Sequence, residues 1–190
     1  MAHIRSFIAI ELPEDVRRRI ADVISEAAKH GGAIKWVETH NLHLTLKFLG
    51  NVREELIPHV SATLDVIARQ STPFEFDVAG VGGFPNINRP RVLWVGVTAT
   101  DELFKLQEQI ECAMEKLGMP KEERTFHPHI TIGRVKSPHG LLHTLETLKK
   151  FEKEQFGRVP VKHIVLMRSD LTPSGPIYNA ISRHELSGRD

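Results

Sequence analysis

A short sequence pattern that occurs twice sets the strongest limit on how this chain can fold. Residues 43–46 read HLTL and residues 129–132 read HITI, so each copy is His, apolar, Thr, apolar. Successive side chains of a β-strand point to opposite faces. Each copy therefore predicts a strand that buries two aliphatic side chains on one face. Its other face presents an imidazole and a hydroxyl about 6–7 Å apart.

The elements around the two copies also repeat. Hydrophobic periodicity predicts the order strand, helix, strand, motif strand, helix up to about residue 70. A similar order runs from Phe74 to about Phe156, with the motif strand again followed by a helix. We therefore predict a duplicated α+β lobe that brings the two motif strands side by side, within a single domain formed by residues 1–190.

Three local patterns give more specific expectations. Asn51 and Glu54 predict a capping pair at the start of a helix. Residues 74–78 alternate as a strand that gives way to a glycine-containing loop. Residues 161–167 and 176–184 predict the last two strands, joined as a hairpin.

Composition restricts the class of protein. The chain is 41% hydrophobic and 26% charged with a formal net charge of +1, which is typical of a globular protein and gives no general affinity for nucleic acid. Any anion site must therefore be local. No apolar run approaches the ~18 residues of a membrane span. The single cysteine, Cys112, is expected to be a buried thiol in a helix, and it favours a reducing, cytoplasmic location.

The doubled motif supplies groups suited to cleaving a phosphodiester. An imidazole titrates near neutrality, so His43 and His129 can serve as an acid and a base. In-line displacement at phosphorus needs these groups on opposite sides, as two facing strands would place them. The hydroxyls of Thr45 and Thr131 can donate hydrogen bonds to phosphate oxygens where charge develops.

Four further side chains near the motifs are candidate substrate contacts, with a solvated charge or core packing as the alternative for each. Lys47 has the strand parity of His43 and is expected to face the cleft. Arg134 follows Thr131 by three positions, so it reaches the site only if the strand contains a bulge or ends there. Arg91 lies on a possible rim, and Tyr178 follows a turn that would present its hydroxyl. Three other aromatic side chains are expected to pack in the core rather than stack on a base: Trp36, Phe48 and Trp94.

A metal site is the main competing interpretation. His127 and His129 have the His-x-His spacing found on many metal-binding strands, but a zinc site needs a third or fourth ligand. The sequence contains no H-E-x-x-H motif, and Cys112 lies in a different pattern. We therefore predict no metal and no other cofactor, with a metallohydrolase built on these two histidines as an alternative.

The paired motifs resemble the signature of the 2H phosphoesterases, and in particular the RNA 2′,3′-cyclic phosphodiesterases that are also called 2′–5′ RNA ligases. The resemblance extends over the chain through SFIAIELP, NLHLTLKFLG, RPRVLWVGV, FHPHITIGR and a late Gly-Pro-Ile-Tyr. It implies two pseudo-symmetric α+β lobes whose antiparallel sheets face a central basic cleft, with helices outside.

The resemblance also implies an activity and residue roles. The activity is metal-independent hydrolysis of a terminal 2′,3′-cyclic phosphate to a 2′-phosphate. His43 would protonate the departing 3′ oxygen, His129 would activate water, and Thr45, Thr131 and Arg134 would bind the phosphate. The expected substrates are RNA ends or small cyclic nucleotides, and the expected state is a monomer.

The same residues are compatible with two other functions: a non-catalytic module that binds RNA ends or nucleotides, and RNA ligation as the reverse reaction. The sequence contains neither a P-loop nor a lysine nucleophile motif, so an ATP-dependent ligase is not expected.

Overall fold

A computed structural model of the protein describes residues 2–189, which form nine strands and four α-helices. In chain order the strands are β1 (His3–Glu11), β2 (Ile34–Trp36), β3 (His43–Arg53), β4 (Phe74–Phe84), β5 (Val92–Val97), β6 (His129–Val135), β7 (Gln155–Val161), β8 (His163–Thr172) and β9 (Gly175–Glu185). The helices are α1 (Glu14–Ala28), α2 (Ile57–Gln70), α3 (Asp101–Lys116) and α4 (Leu142–Lys149).

The strands form two antiparallel sheets, so the predicted α+β class is confirmed. Sheet A has the order β3-β1-β8-β9, and sheet B has the order β2-β6-β5-β4-β7. The strands β2 and β3 are neighbours in sequence but lie in different sheets, while β8 returns to pair with β1 and β9 pairs with β8. Each sheet therefore combines segments that are distant in sequence.

The hydrophobic pattern explains how the helices cover these sheets. In α1, four apolar side chains at helical spacing are buried, and the helix follows Pro13 with two acidic residues in its first turn. Thr100 caps the start of α3, and its hydroxyl accepts a hydrogen bond from the backbone N–H of Leu103 at 3.2 Å. The buried side chains of both helices join a core that also includes the aliphatic residues of both motifs, Leu44, Leu46, Ile130 and Ile132.

Two predictions about element boundaries are wrong. Asn51 and Glu54 do not cap α2, because β3 continues to Arg53 and a short 3₁₀ turn at Glu54–Leu56 precedes the helix. The strand β4 continues to Phe84 through glycines that the sequence suggested would end it. Packing requires a glycine here, since a Cβ on Gly82 would overlap the Trp94 ring.

Two other expectations are also corrected. Residues 155–161 form β7, which was not predicted; its Pro160 is accommodated because β7 is the edge strand of sheet B. Cys112 is exposed rather than buried. It lies between two buried positions of α3, Glu111 and Met114, on a part of the helix that turns toward solvent.

Candidate functional site

The imidazole of His43 is oriented by the backbone two residues before it. Its Nδ1 lies 2.6 Å from the carbonyl oxygen of Asn41, and its Nε2 lies 2.9 Å from the Thr45 hydroxyl. A carbonyl oxygen only accepts hydrogen bonds, so Nδ1 carries a proton and Nε2 is the nitrogen available for proton transfer. The His43 and Thr45 side chains thus lie together on one face of sheet A, as the strand pattern predicts.

His129 repeats this arrangement on sheet B. Its Nδ1 lies 2.6 Å from the carbonyl oxygen of His127, again two residues before it. The same reasoning assigns the proton to Nδ1 and leaves Nε2 for chemistry. The two copies therefore present equivalent nitrogens, and the carbonyl partners fix both rings in the orientation that an acid–base pair requires.

Both imidazoles favour the neutral form. Burial lowers the pKa of His43, and its bond to the Asn41 carbonyl opposes this only in part. Burial also lowers the pKa of His129, where the His127 carbonyl opposes the change and the positive charge of Arg134 adds to it. A bound phosphate would favour the charged form of each ring, because an opposite charge nearby stabilises imidazolium.

Aromatic rings surround each imidazole. On sheet A the His43 ring lies 4.9 Å from Phe7 and 5.4 Å edge-on from Tyr178. On sheet B the His129 ring lies 4.9 Å edge-on from Phe84. These contacts shield the two imidazoles from bulk water, and this burial lowers the pKa of each.

A β-bulge follows each motif threonine and changes which later side chains face the cleft. In sheet B, Trp94 pairs with Thr131 but the next residue, Leu93, pairs with Gly133, so Ile132 is the extra residue. Ile132 and Gly133 are both buried, and Arg134 returns to the side of His129 and Thr131. The bulge that Arg134 requires is therefore present.

The equivalent bulge in sheet A contradicts the placement of Lys47. Ala9 pairs with Thr45 and Ile8 pairs with Lys47, so Leu46 is the extra residue and Lys47 turns to the core side. Lys47 is 5% exposed, whereas Phe48 is 64% exposed and its ring lies 6.1 Å from Phe7 on the side of His43. The prediction that Lys47 faces the substrate is wrong, and so is the prediction that Phe48 packs in the core.

Lys47 instead forms a buried ion pair behind sheet A. Its Nζ lies 2.8 Å from Oε2 of Glu111 on α3 and 2.9 Å from the carbonyl oxygen of Pro120. The same carboxylate accepts a hydrogen bond from the backbone N–H of Glu122 at 3.2 Å. The pair therefore connects the first motif strand to the loop that leads to the second motif.

Electrostatic effects show that Arg134 and Tyr178 face the same cleft from different sheets. The charge of Arg134 lowers the pKa of His129. Burial raises the pKa of Tyr178, while the charges of Arg134 and Arg5 act in the opposite direction. The Tyr178 ring also contacts His43. Tyr178 and Arg134 therefore link His43 of the first motif to His129 of the second across the space between the sheets.

Arg91 is less closely tied to the site. It is exposed at the start of β5, and its backbone N–H and C=O bond to neighbouring strands. Its side chain makes no hydrogen bond or ion pair within residues 2–189. A role for Arg91 in substrate binding stays a prediction, as do the roles of the other named side chains.

Several features of the site carry no sequence signal of their own. Asn41, which provides the carbonyl for His43, also donates from Nδ2 to the Pro176 carbonyl at 3.1 Å. Phe7 and Phe84 lie on strands far from the motifs in sequence and reach the histidines only through strand pairing. The exposure of Phe48 could have been predicted from the doubled motif, because Phe48 follows His43 by the same five positions that separate Arg134 from His129.

His127 and His129, which have a metal-binding spacing in the sequence, do not form a set of metal ligands in the structure. His127 contacts His129 through its carbonyl, and its own side chain is exposed. Within residues 2–189, no three potential ligands of the His, Cys, Asp or Glu type form a group.

The chain is similar to known proteins along most of its length. A sequence model of the 2′-5′ RNA ligase superfamily matches residues 12–173. The chain is 36% identical over 174 residues to the RNA 2′,3′-cyclic phosphodiesterase of Archaeoglobus fulgidus, covering 92% of this chain and 96% of that protein. It is 38% identical over 186 residues to the protein of the same name from Thermotoga maritima, covering 97% and 96%.

Solved structures show the same fold. The crystal structure of a Thermus thermophilus protein superposes with a TM-score of 0.83 at 33% identity, covering 98% of this chain and 100% of that one. The E. coli LigT protein complexed with 3′-AMP superposes with a TM-score of 0.77 at 27% identity, covering 97% and 99%. None of the helices in residues 2–189 has the length and apolar character needed to cross a membrane.

Proposed function

The chain belongs to the 2′-5′ RNA ligase superfamily, whose sequence model spans most of its length, and on that premise we propose that it is an RNA 2′,3′-cyclic phosphodiesterase. The resemblance to 2H phosphoesterases is thereby confirmed. The observation that carries the proposal is the matched orientation of His43 and His129. Each ring is held by a backbone carbonyl at Nδ1, so each directs Nε2 toward the cleft, where that of His43 also lies 2.9 Å from the Thr45 hydroxyl.

The proposed reaction uses the two histidines in opposite roles. Neutral His129 accepts a proton from water at Nε2 as the water oxygen attacks phosphorus. The bond between phosphorus and the 3′ oxygen breaks, and protonated His43 donates its Nε2 proton to that oxygen. The product is a 2′-phosphomonoester, and the step needs no metal because proton transfer supplies both activation and leaving-group stabilisation.

Hydroxyl and guanidinium groups are placed to stabilise the phosphate during this step. Thr45 and Thr131 lie on the cleft faces beside their histidines, where their hydroxyls can donate to the non-bridging oxygens. Arg134 adds a positive charge close to His129. A guanidinium suits this position because it pairs with phosphate through two parallel hydrogen bonds.

The sheet A side of the cleft is suited to the nucleoside. Phe48 is exposed next to Phe7, which in turn contacts Tyr178 and His43. An exposed aromatic ring beside a phosphate site provides a surface on which any base can stack. We propose that Phe48 contacts the base while the two threonines hold the phosphate.

The comparisons support the hydrolase more than the two alternatives. The curated relatives from A. fulgidus and T. maritima are named as cyclic phosphodiesterases. The superfamily name refers to ligation, which is the reverse of cleavage at the same bond and would use the same histidines. A purely binding module would not need two imidazoles that each direct Nε2 toward the cleft.

We also propose that the protein acts in the cytoplasm as a monomer on RNA ends or small cyclic nucleotides. The chain has one cysteine and so forms no internal disulfide, as in proteins of reducing compartments. Light scattering of the purified protein tests the monomer, since a mass near 21.5 kDa is expected.

The experiment that tests the activity is hydrolysis of a nucleoside 2′,3′-cyclic phosphate in excess chelator. We expect His43→Ala and His129→Ala each to lower kcat by about 10²–10⁴-fold, the usual contribution of a positioned acid or base. His143→Ala is the matched control, because His143 is exposed on α4 and should leave kcat unchanged. Activity that disappears with chelator, or that persists in both site variants, would reject the proposal.

A further inference from the structure

The cleft face of sheet A continues beyond the catalytic residues along β1. The two bulges in the β1–β3 pairing add residues to β3, so β1 itself alternates regularly. Phe7 and Ala9 lie on the cleft side, where they form a small apolar cluster with Tyr178. Arg5 is two residues before Phe7, so its side chain belongs to the same side.

Arg5 differs from every other lysine and arginine on the strands of sheet A. The other lysine and arginine residues on β1, β3, β8 and β9 each pair with a carboxylate, namely Lys47 with Glu111, Arg53 with Glu55, Arg168 with Asp170 and Arg183 with Glu11. Arg5 is exposed and forms no ion pair or hydrogen bond through its side chain within residues 2–189. Its charge is therefore free to bind an anion.

The register places this charge beyond the proposed base platform. Along the paired strands, Thr45 lies opposite Ala9, Phe48 opposite Phe7, and Asn51 opposite Arg5. Ala9 and Arg5 are four positions apart, about 13 Å along an extended strand. A phosphate held by the motif threonines thus lies on one side of the aromatic rings, and Arg5 lies on the other. The influence of Arg5 on the pKa of the Tyr178 hydroxyl agrees with a position facing the cleft.

We infer that Arg5 binds the backbone phosphate of the nucleotide that precedes the one carrying the cyclic phosphate. This inference rests on the proposed function and extends it, because it makes an RNA chain a better substrate than a single nucleotide. Phosphate contacts from arginine position a nucleic acid without reading its sequence. The predicted preference is therefore for chain length, not for base identity.

The test compares Arg5→Gln with the wild-type protein on two substrates that end in the same nucleoside 2′,3′-cyclic phosphate, a mononucleotide and a trinucleotide. We expect kcat/KM to fall about tenfold for the trinucleotide, the effect of losing roughly 1.4 kcal/mol of binding. We expect a change of less than about twofold for the mononucleotide. The salt dependence of trinucleotide binding should also weaken by the equivalent of about one phosphate contact.

Two variants serve as controls. Arg5→Lys retains the charge and should recover most of the trinucleotide rate. Arg168→Gln removes a neutralised guanidinium from the same sheet, and both substrates should react as with the wild type.

Other outcomes would overturn the inference. Equal losses on both substrates would place Arg5 at the terminal nucleotide, and no loss on either would remove it from binding. If the wild-type protein cleaved neither substrate, the proposed function would fail instead. Equilibrium binding of a trinucleotide with a 2′-phosphate end, which needs no turnover, still tests Arg5: unchanged affinity in Arg5→Gln would contradict the contact.

Discussion

The two motif strands share the groups that handle protons and differ in the groups that surround them. Both have a histidine held by a carbonyl two residues earlier, a threonine two residues later, and a bulge after that threonine. The bulge then brings an aromatic ring, Phe48, to the cleft in sheet A and a guanidinium, Arg134, in sheet B. The shared groups are those that acid–base chemistry needs, and the different groups divide the substrate into a base and a phosphate.

The buried residue that follows the extra residue of each bulge also differs. In sheet A it is Lys47, which extends to Glu111 on α3. In sheet B it is Gly133, where Ile34 and Trp36 leave no room for a side chain. The same backbone irregularity is thus stabilised by an ion pair on one side and by close packing on the other.

The largest expected effect comes from breaking the ion pair. Lys47→Met would leave the Glu111 carboxylate buried without its partner, and we expect a loss of about 3–5 kcal/mol in the free energy of unfolding. Urea denaturation measures this loss. The double variant Lys47→Met/Glu111→Leu should recover much of it, and a single variant within about 1 kcal/mol of the wild type would contradict the burial of this pair.

Replacing Phe48 and Arg134 one at a time tests whether one contacts the base and the other the phosphate. Phe48→Ala should raise KM by roughly 5- to 150-fold, from the loss of about 1–3 kcal/mol of stacking, with little change in kcat. Replacing Phe48 by Tyr, which keeps a ring, should restore KM. An effect confined to kcat would argue against a stacking role.

Arg134→Gln should instead change the pH dependence. Removing the positive charge raises the pKa of His129, because the imidazolium no longer faces a like charge. If His129 is the base, the acidic limb of the kcat/KM profile moves to higher pH. Phe48→Ala should leave that limb in place, and identical profiles for both variants would remove the proposed distinction.

Adding a methyl group at Gly133 tests the packed bulge. A Cβ there would lie 2.9 Å from Cγ2 of Ile34 and 3.0 Å from Cε3 of Trp36, so the neighbouring strand must move. We expect Gly133→Ala to destabilise the fold by about 1–3 kcal/mol, measured by denaturation. Ala113→Gly in α3 provides a reference, because glycine in a helix interior costs about 0.8–1.0 kcal/mol relative to alanine.

The smallest effect concerns the residues whose carbonyls orient the histidines. Asn41 is buried and donates to the Pro176 carbonyl, whereas His127 is exposed. Asn41→Ala should cost about 1 kcal/mol of stability through the lost hydrogen bond. His127→Ala should cost almost nothing, and a larger loss for His127 would reverse this part of the comparison.

The sequence predicted the parts of the site that depend on strand alternation. His43, Thr45, His129 and Thr131 lie where the period of two places them. Alternation failed at Lys47 and Phe48, since a bulge inserts one residue and exchanges the two faces. The position of Arg134 indicates a bulge in the second copy, but nothing in the sequence of the first copy alone indicates the bulge at Leu46. Its presence depends on pairing with β1, which is a long-range property of the fold.

The pH dependence of kcat/KM for a nucleoside 2′,3′-cyclic phosphate in excess chelator tests most directly whether the two histidines act as an acid and a base in one step. The wild-type profile should be bell-shaped, with both limbs below the ordinary histidine pKa of about 6.5, because burial lowers the pKa of each ring. The residual activity of His129→Ala should lack the acidic limb, and that of His43→Ala should lack the alkaline limb. A bell-shaped profile that persists unchanged in both variants would contradict the account.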